Sequence, residues 1–305
     1  SGIFNVQDNW ENNGTFTADQ SLVNLNGANQ LITGTSVSSF YDLILNGSGI
    51  KSQTIDAEVM NTLELNDFEL ATEDYNMTVS NPATNAISYN NGFVSSTGPG
   101  RLERATNSTN TYIFPVGSSL NTPRYRPLEI EPTSTSPHIF AVRMANVDPN
   151  AEGFDRSIND ALCTVNSNFF HHVERTNGND PADLTFFFDP INDGTWDVNA
   201  HWQNVPQWES MGTPATGTNG PFTTLSNTGW NDFSYSPFAL ATPGPQVSFS
   251  GLSPSLCDGA NPVILTGTPT GGTFSGPGVS GNQFNPSQAG VGQHTPFHPQ
   301  TNGKL

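Results

Sequence analysis

At 305 residues the chain exceeds what one ordinary hydrophobic core fills, and three domains are expected. Only 12% of residues are charged, while 29 Gly and 23 Pro punctuate the chain, which excludes a fold built on long helices. Nine Lys and Arg stand against 27 Asp and Glu, and the resulting formal charge of -18 repels phosphate backbones and anionic lipid, so no nucleic-acid partner is expected.

Short runs that alternate apolar and polar residues, such as Thr62-Leu63-Glu64-Leu65 and Phe140-Ala141-Val142-Arg143, recur throughout. Alternation at period two is the signal of a half-buried strand, so the chain reads as all-β. No apolar run reaches the roughly 18 residues of a membrane span, so no membrane insertion by this segment is expected. The first residues, Ser1-Gly2-Ile3, contain neither a Met nor a leader pattern and are read as those of a fragment.

Residues 1–98 carry an internal repeat. Val23-Asn24-Leu25-Asn26-Gly27, Leu43-Ile44-Leu45-Asn46-Gly47 and Leu63-Glu64-Leu65-Asn66-Asp67 recur every 20 residues. A unit this short cannot bury its own apolar residues, so it predicts stacked coils of a short β-solenoid, with Leu25, Leu45 and Leu65 as an internal ladder. Asn26, Asn46 and Asn66 are expected at the corners, where Asn tolerates left-handed backbone and bonds to its own turn. The alternation continues at Met77-Thr78-Val79, where the repeat loses register, and the solenoid is expected to end near Gly98. Three strand–turn pieces of an ordinary sandwich, coinciding in spacing, are the alternative.

Residues 99–242 hold seven of the nine basic side chains and four of the five Trp, a composition shift that marks a second domain. Strands are expected over 111–116, 125–131, 139–144, 169–174, 184–188 and 233–240, separated by Pro, Asn and Gly clusters, the spacing of a β-sandwich. Two candidate sites fall here. Asp189, Asp193 and Asp197 lie around a turn and would offer calcium hard oxygen ligands, although Ile191 and Ala200 exclude an EF-hand loop; a solvated hairpin is the alternative. Asp148, Glu152 and Asp155 form a second, weaker acidic group. Trp196, Trp202, Trp208 and Trp230, with Tyr235, would stack against sugar rings as a glycan contact, or else fill a core. His171 and His172 are adjacent on a strand and point to opposite faces, so one is expected buried and one exposed.

A Pro-rich linker at Thr242-Pro243-Gly244-Pro245 opens residues 243–305. Gly276-Pro277-Gly278-Val279-Ser280-Gly281 matches the glycine spacing of a dinucleotide loop but lacks the strand before and helix after, and reads as β-turns. His294 and His298 have Pro296 between them and no Glu, which argues against a zinc site. Leu252-Ser253-Pro254-Ser255-Leu256-Cys257, Val263-Ile264-Leu265-Thr266-Gly267, Gly271-Gly272-Thr273-Phe274-Ser275-Gly276-Pro277-Gly278-Val279 and Phe284-Asn285-Pro286 resemble the Ig-like repeats of large Bacteroidota surface proteins. Asn9-Trp10-Glu11-Asn12-Asn13-Gly14-Thr15-Phe16 and Gln30-Leu31-Ile32-Thr33-Gly34 are similar, more loosely, to segments of gliding-associated and adhesin-like proteins. The resemblance implies export by the type IX route, an extracellular or cell-surface location, and a truncated Ig-like β-sandwich module, since two prolines interrupt 293–299 where the last strand belongs. Cys163 and Cys257 fall in different domains and are read as unpaired thiols.

The expected fold is thus a short β-solenoid followed by a β-sandwich and a truncated Ig-like module. The expected role is a structural and adhesive segment of a secreted bacterial cell-surface protein, with a polysaccharide or protein ligand, no required cofactor beyond the calcium candidate, and no catalytic residues. The alternative is a carbohydrate-binding accessory module, and after it a polysaccharide-acting hydrolase.

Overall fold

The computed structural model describes residues 2–234, 237–244, 248–268, 270 and 272–293. The chain divides into two units, Ser1–Thr242 and Pro243–Leu305.

The first unit opens with about five coils of a β-solenoid. In chain order, β1 (Ile3–Val6) and β2 (Trp10–Asn12) make the first coil, and β3 (Leu22–Leu25) and β4 (Gln30–Gly34) the second. The third has β5 (Ser38–Leu45) and β6 (Lys51–Gln53); the fourth, β7 (Ala57–Asn66) and β8 (Glu69–Ala71); the fifth, β9 (Met77–Val79), β10 (Ile87–Tyr89) and β11 (Phe93–Ser95). Odd-numbered strands β1 to β9 stack in parallel as one sheet, and β2, β4, β6, β8 and β11 stack in parallel as the other. The alternation places Val23, Leu25, Leu43, Leu45, Leu63 and Leu65 inward, each fully buried, while Asn24, Ile44 and Glu64 face outward.

The 20-residue period outlasts the point where the leucine motif fades. β7 is ten residues long and serves two tracks: Ala57 and Val59 pair with Met77 and Val79, while Leu63 pairs with Ile87 on β10. Met77-Thr78-Val79 therefore continues the register of Ala57–Val59 rather than breaking that of Leu63. The asparagine ladder also differs from expectation. Asn24 Nδ2 donates to Asn5 Oδ1 at 2.8 Å, Asn46 Nδ2 to Asn24 Oδ1 at 2.8 Å, and Asn66 Nδ2 to Asn46 Oδ1 at 3.2 Å, so Asn24, not Asn26, stands in the stack. Asn24 sits on the outward face of its strand directly in register with Asn5. The corners beside it are close-packed: a Cβ on Gly47 would lie 2.1 Å from the Gly27 carbonyl oxygen, and in the third repeat, where Asp67 replaces the glycine, Asn66 itself takes φ +50°.

One corner is held by a buried cation. Gln30, Lys51 and Leu70 occupy one inward row, and the Lys51 ammonium donates to the carbonyls of Gly27 at 2.9 Å, Ala28 at 2.6 Å and Ser48 at 2.9 Å. Burial pushes this amine below its ordinary range. The carbonyls of Ala28 and Ser48, and that of Gly27 which also accepts the Ser48 N–H at 2.9 Å, are thereby bonded, as buried backbone groups require.

Parallel pairing runs on past Gly98. Strand β12 (Leu102–Thr106) pairs in parallel with β9 and antiparallel with β17 (His138–Ala145), so it is the seam between solenoid and the following region. Between them lie β13 (Tyr112–Phe114), β14 (Gly117–Ser118), β15 (Arg124–Tyr125) and β16 (Leu128–Pro132). Beyond come β18 (Asn159–Asp160), β19 (Leu162–Val165), β20 (Phe170–Asn177), β21 (Ala182–Phe188), β22 (Val198–Trp202), β23 (Trp208–Ser210), β24 (Ala215–Asn219), β25 (Phe222–Trp230) and β26 (Pro237–Pro243). The solenoid sheet thus extends through β12, β17, β20, β26, β22, β23 and β18 into 14 strands, including β10 and β19 off the main path. A second antiparallel sheet, β13-β16-β21-β25-β24, covers one face of it. The other solenoid sheet is linked to this region too, through a parallel bridge between Val94 and Val116.

One buried apolar cluster runs without a break from Val23 and Leu45 through Val79, Leu102 and Phe140 to Phe186 and Leu240. A smaller cluster, with Phe170, Ala200, Trp202 and Trp208, lies on the opposite face of the long sheet. Arg104 sits fully buried near the seam, donating to the carbonyls of Ile113 at 2.6 Å, Ala83 at 3.1 Å and Thr84, with its guanidinium 5.0 Å from the Tyr112 ring.

In the second unit, β27 (Ser248–Ser250) pairs with β29 (Thr266–Thr268), and β28 (Val263–Ile264), β31 (Gln283–Phe284) and β30 (Val279–Ser280) form a small antiparallel sheet. Val279 and Ser280 pair with Phe284 and Gln283 around Gly281 at φ +61°, so the glycine-spaced motif is a hairpin here, followed by a strand rather than a helix. Among its described residues the buried apolar side chains are Leu265, Phe284 and Pro286. His294 and His298 lie outside the described residues.

Candidate functional site

Asp193 is the centre of the acidic loop, and it is turned inward. Its carboxylate is wholly buried, paired with Arg124 Nε at 3.3 Å and with Arg126 Nε, and its Oδ2 also accepts from the Asp189 backbone N–H at 2.8 Å. Asp189 is held by Ile191 N–H at 2.9 Å and by the Asn192 amide, which keep its carboxyl below the usual range; Asp197 faces solvent. The three carboxylates do not converge, and among the described residues no group of three His, Cys, Asp or Glu is placed to hold a metal ion. With two guanidinium partners, Asp193 has its charge already compensated.

The guanidinium groups that claim Asp193 lie against aromatic rings. Arg126 lies 5.8 Å from the Phe169 ring and 5.5 Å from that of Phe222, and Arg124 lies 5.9 Å from Phe169. His171 Nε2 meets the Arg126 carbonyl at 2.8 Å. This buried ionic lock ties the 189–193 loop to Arg124 and Arg126, and through the Arg126 carbonyl to His171 on β20.

The tryptophans fill cores instead of forming a platform. Trp202 and Trp208 are both buried and meet edge to face with ring centres 5.5 Å apart; Trp208 has no exposed surface. Trp196 and Trp230 pack partly buried against the large cluster, their Nε1 groups donating to the carbonyls of Asp193 at 3.0 Å and Asp232 at 2.6 Å. Strand β22 explains the pattern, since Val198, Ala200 and Trp202 enter one core and Asn199 and His201 the other side, so both faces are covered. Tyr235 lies outside the described residues.

His171 and His172 do point to opposite faces, yet both are buried, because β20 is an interior strand covered on each side. His171 lies against Phe169 and Phe186. His172 packs on Phe154 and Phe170, and its Nε2 is 3.0 Å from Glu152, which also pairs with Arg143. Burial holds both imidazoles down to about 4, in His172 against the opposing pull of Glu152. Burial works against the charged form of Glu152, but its bonds from His172 and Arg143 prevail and lower its carboxyl to about 2. The second acidic group is therefore also spoken for: Glu152 as described, Asp148 by Arg156 at 2.7 Å, and Asp155 by the Ser157 N–H and hydroxyl at 2.8 Å each. Cys163 and Cys257 are exposed free thiols.

No protein-family model, curated protein or solved structure matches the chain. Among the described residues no helix is long and apolar enough to cross a membrane.

Proposed function

We propose that the chain is a structural and adhesive segment of a secreted bacterial cell-surface protein, acting as a stalk and multivalent attachment module. The observation that carries the reading is the continuity of the first unit: one 14-stranded sheet and one buried cluster run from the solenoid through the antiparallel region. A hydrogen-bonded body with no break in its core resists bending, which is what a spacer between a surface and a contact requires. The charge of -18 favours solubility and mutual repulsion of displayed copies, screened in salt to within about 10 Å.

In this reading, residues 99–242 are a β-sandwich fused to the solenoid, and residues 243–305 an incomplete Ig-like module, of the kind that type IX-exported Bacteroidota surface proteins carry. The motif resemblance of 252–286 supports it. Weak individual contacts would add when many copies share one surface, by effective concentration rather than by affinity.

Retention on immobilised polysaccharides and cell-surface material tests the attachment role. Beads carrying many copies are expected to be retained at least about 100-fold better than the single chain. Equal, background-level retention of both on every material would overturn attachment and leave a spacer alone.

A further inference from the structure

We infer that the outer face of the β4-β6-β8-β11 sheet is a binding trough for a linear, uncharged oligosaccharide, an assignment that rests on the attachment reading and gives it a contact surface. Register pairs Leu31 with Ser52, Ser52 with Ala71, and Ala71 with Ser95, so one row crosses four strands and its last three members are small, Leu31 exposed, Ser52 half-buried, and Ala71 and Ser95 buried at the floor. Small side chains in a row leave a cavity, here about 500 Å³, whose lining also includes Ser118, Ser119 and Leu120. At about 4.8 Å per strand the row spans roughly 14 Å, and each step is close to the length of one sugar unit in an extended chain.

The lining decides the class of ligand. Leu31, Ile50 and Leu120 are 37%, 37% and 49% exposed along the rim, offering apolar contact for the C–H faces of sugar rings. Glu69 and Glu73 are the only charged side chains among the described lining residues, and hydroxyls and amides supply the other polar groups. Two carboxylates without a cation repel polyanions, uronate chains and nucleic acids included. An extended peptide is disfavoured on different grounds. Peptides bind sheets by pairing with an open edge, and here the backbone groups under the trough already bond to neighbouring strands. Carboxylate and side-chain oxygens beside aliphatic patches suit a ligand rich in hydroxyl donors and free of charge.

The test is calorimetric and NMR titration of the full chain with linear β-1,3- and β-1,4-linked glucose oligosaccharides of increasing length, a uronate oligomer and an extended peptide. The uncharged sugars are expected to bind, tightening until the trough is filled, and Ser52→Tyr, which fills the floor from an outward position, is expected to weaken them by about tenfold or more. Should Ser52→Tyr fold poorly, Leu120→Ala at the exposed rim reads the same loss. Uncharged sugars that do not bind, that bind both variants as they bind the parent, or that are outcompeted by uronate or peptide overturn the inference. On immobilised material, equal retention of beads carrying many copies of the parent or of Ser52→Tyr rejects the trough while keeping attachment; background-level retention of the parent beads rejects attachment, whatever the soluble sugars do.

Discussion

Replacing Asp193 by alanine is expected to lower the unfolding free energy of the first unit by about 3–5 kcal/mol, the usual cost of stripping one partner from a buried ionic group. The cause is what remains. The side chains of Arg124 and Arg126 are only 10% and 6% exposed, and without Asp193 both positive charges would stay desolvated, Arg124 against Phe169 and Arg126 between Phe169 and Phe222. The neighbouring acids provide the contrast. Asp197→Asn, on an exposed side chain, is expected to change stability by no more than about 0.5 kcal/mol. Urea melts of the two variants, with and without added calcium, check both: a calcium-binding loop would make all three aspartates matter alike and would raise the melt with calcium, whereas the ionic lock makes only Asp193 matter.

A steep loss of stability in acid is the second large effect. His171 and His172 titrate near 4 in the folded protein and near 6.5 when unfolded, so between these values the unfolded chain binds more protons. Their contribution is fully present above about pH 6.5 and is lost as pH falls toward 4. Around pH 5 two such histidines give a slope of roughly 2.5 kcal/mol per pH unit. Glu152, lowered from 4.5 to about 2, continues the loss below pH 4.5 with the same sign. The groups that face these histidines are Arg126 for His171, and Glu152, Arg143 and Arg101 for His172. Stability measured by urea unfolding at a series of pH values checks the slope, and His172→Gln, which keeps a hydrogen-bond donor toward Glu152, should flatten it by about half. A flat profile between pH 6.5 and 4 would contradict the burial of both imidazoles.

The solenoid was legible in the sequence because each coil repeats the same apolar alternation at nearly constant length, and Leu25, Leu45 and Leu65 report directly on the inside of the stack. Where the coil lengthens, at β7, the pattern splits between two tracks and the motif alone misplaces Met77 by a strand. The antiparallel region was half visible. Strands such as β17 and β20 are rich in apolar and aromatic residues, whereas β25, Phe-Thr-Thr-Leu-Ser-Asn-Thr-Gly-Trp, buries only Thr224, Leu225 and Asn227 and reads as a loop. The fold brings neither set of side chains together as the spacing suggests, for one physical reason. A local spacing of Asp or Trp does not disclose what the rest of the chain brings to it, and Asp193 meets partners 67 and 69 residues away while Trp208 lies beneath Phe154 and Trp202. The trough was invisible for the opposite reason, since Ser52, Ala71 and Ser95 carry no motif and become one row only through register.

The continuity of the first unit is tested most directly by hydrogen exchange measured peptide by peptide through a urea series. Repeat arrays commonly lose cooperativity along their length, so agreement between distant elements is informative. Amides of β7 in the solenoid and of β20 beyond the seam are expected to lose protection at one common midpoint, as parts of a single cooperative body. Two separated midpoints would show that the solenoid and the antiparallel region unfold independently, and would contradict the account of a continuous load-transmitting segment.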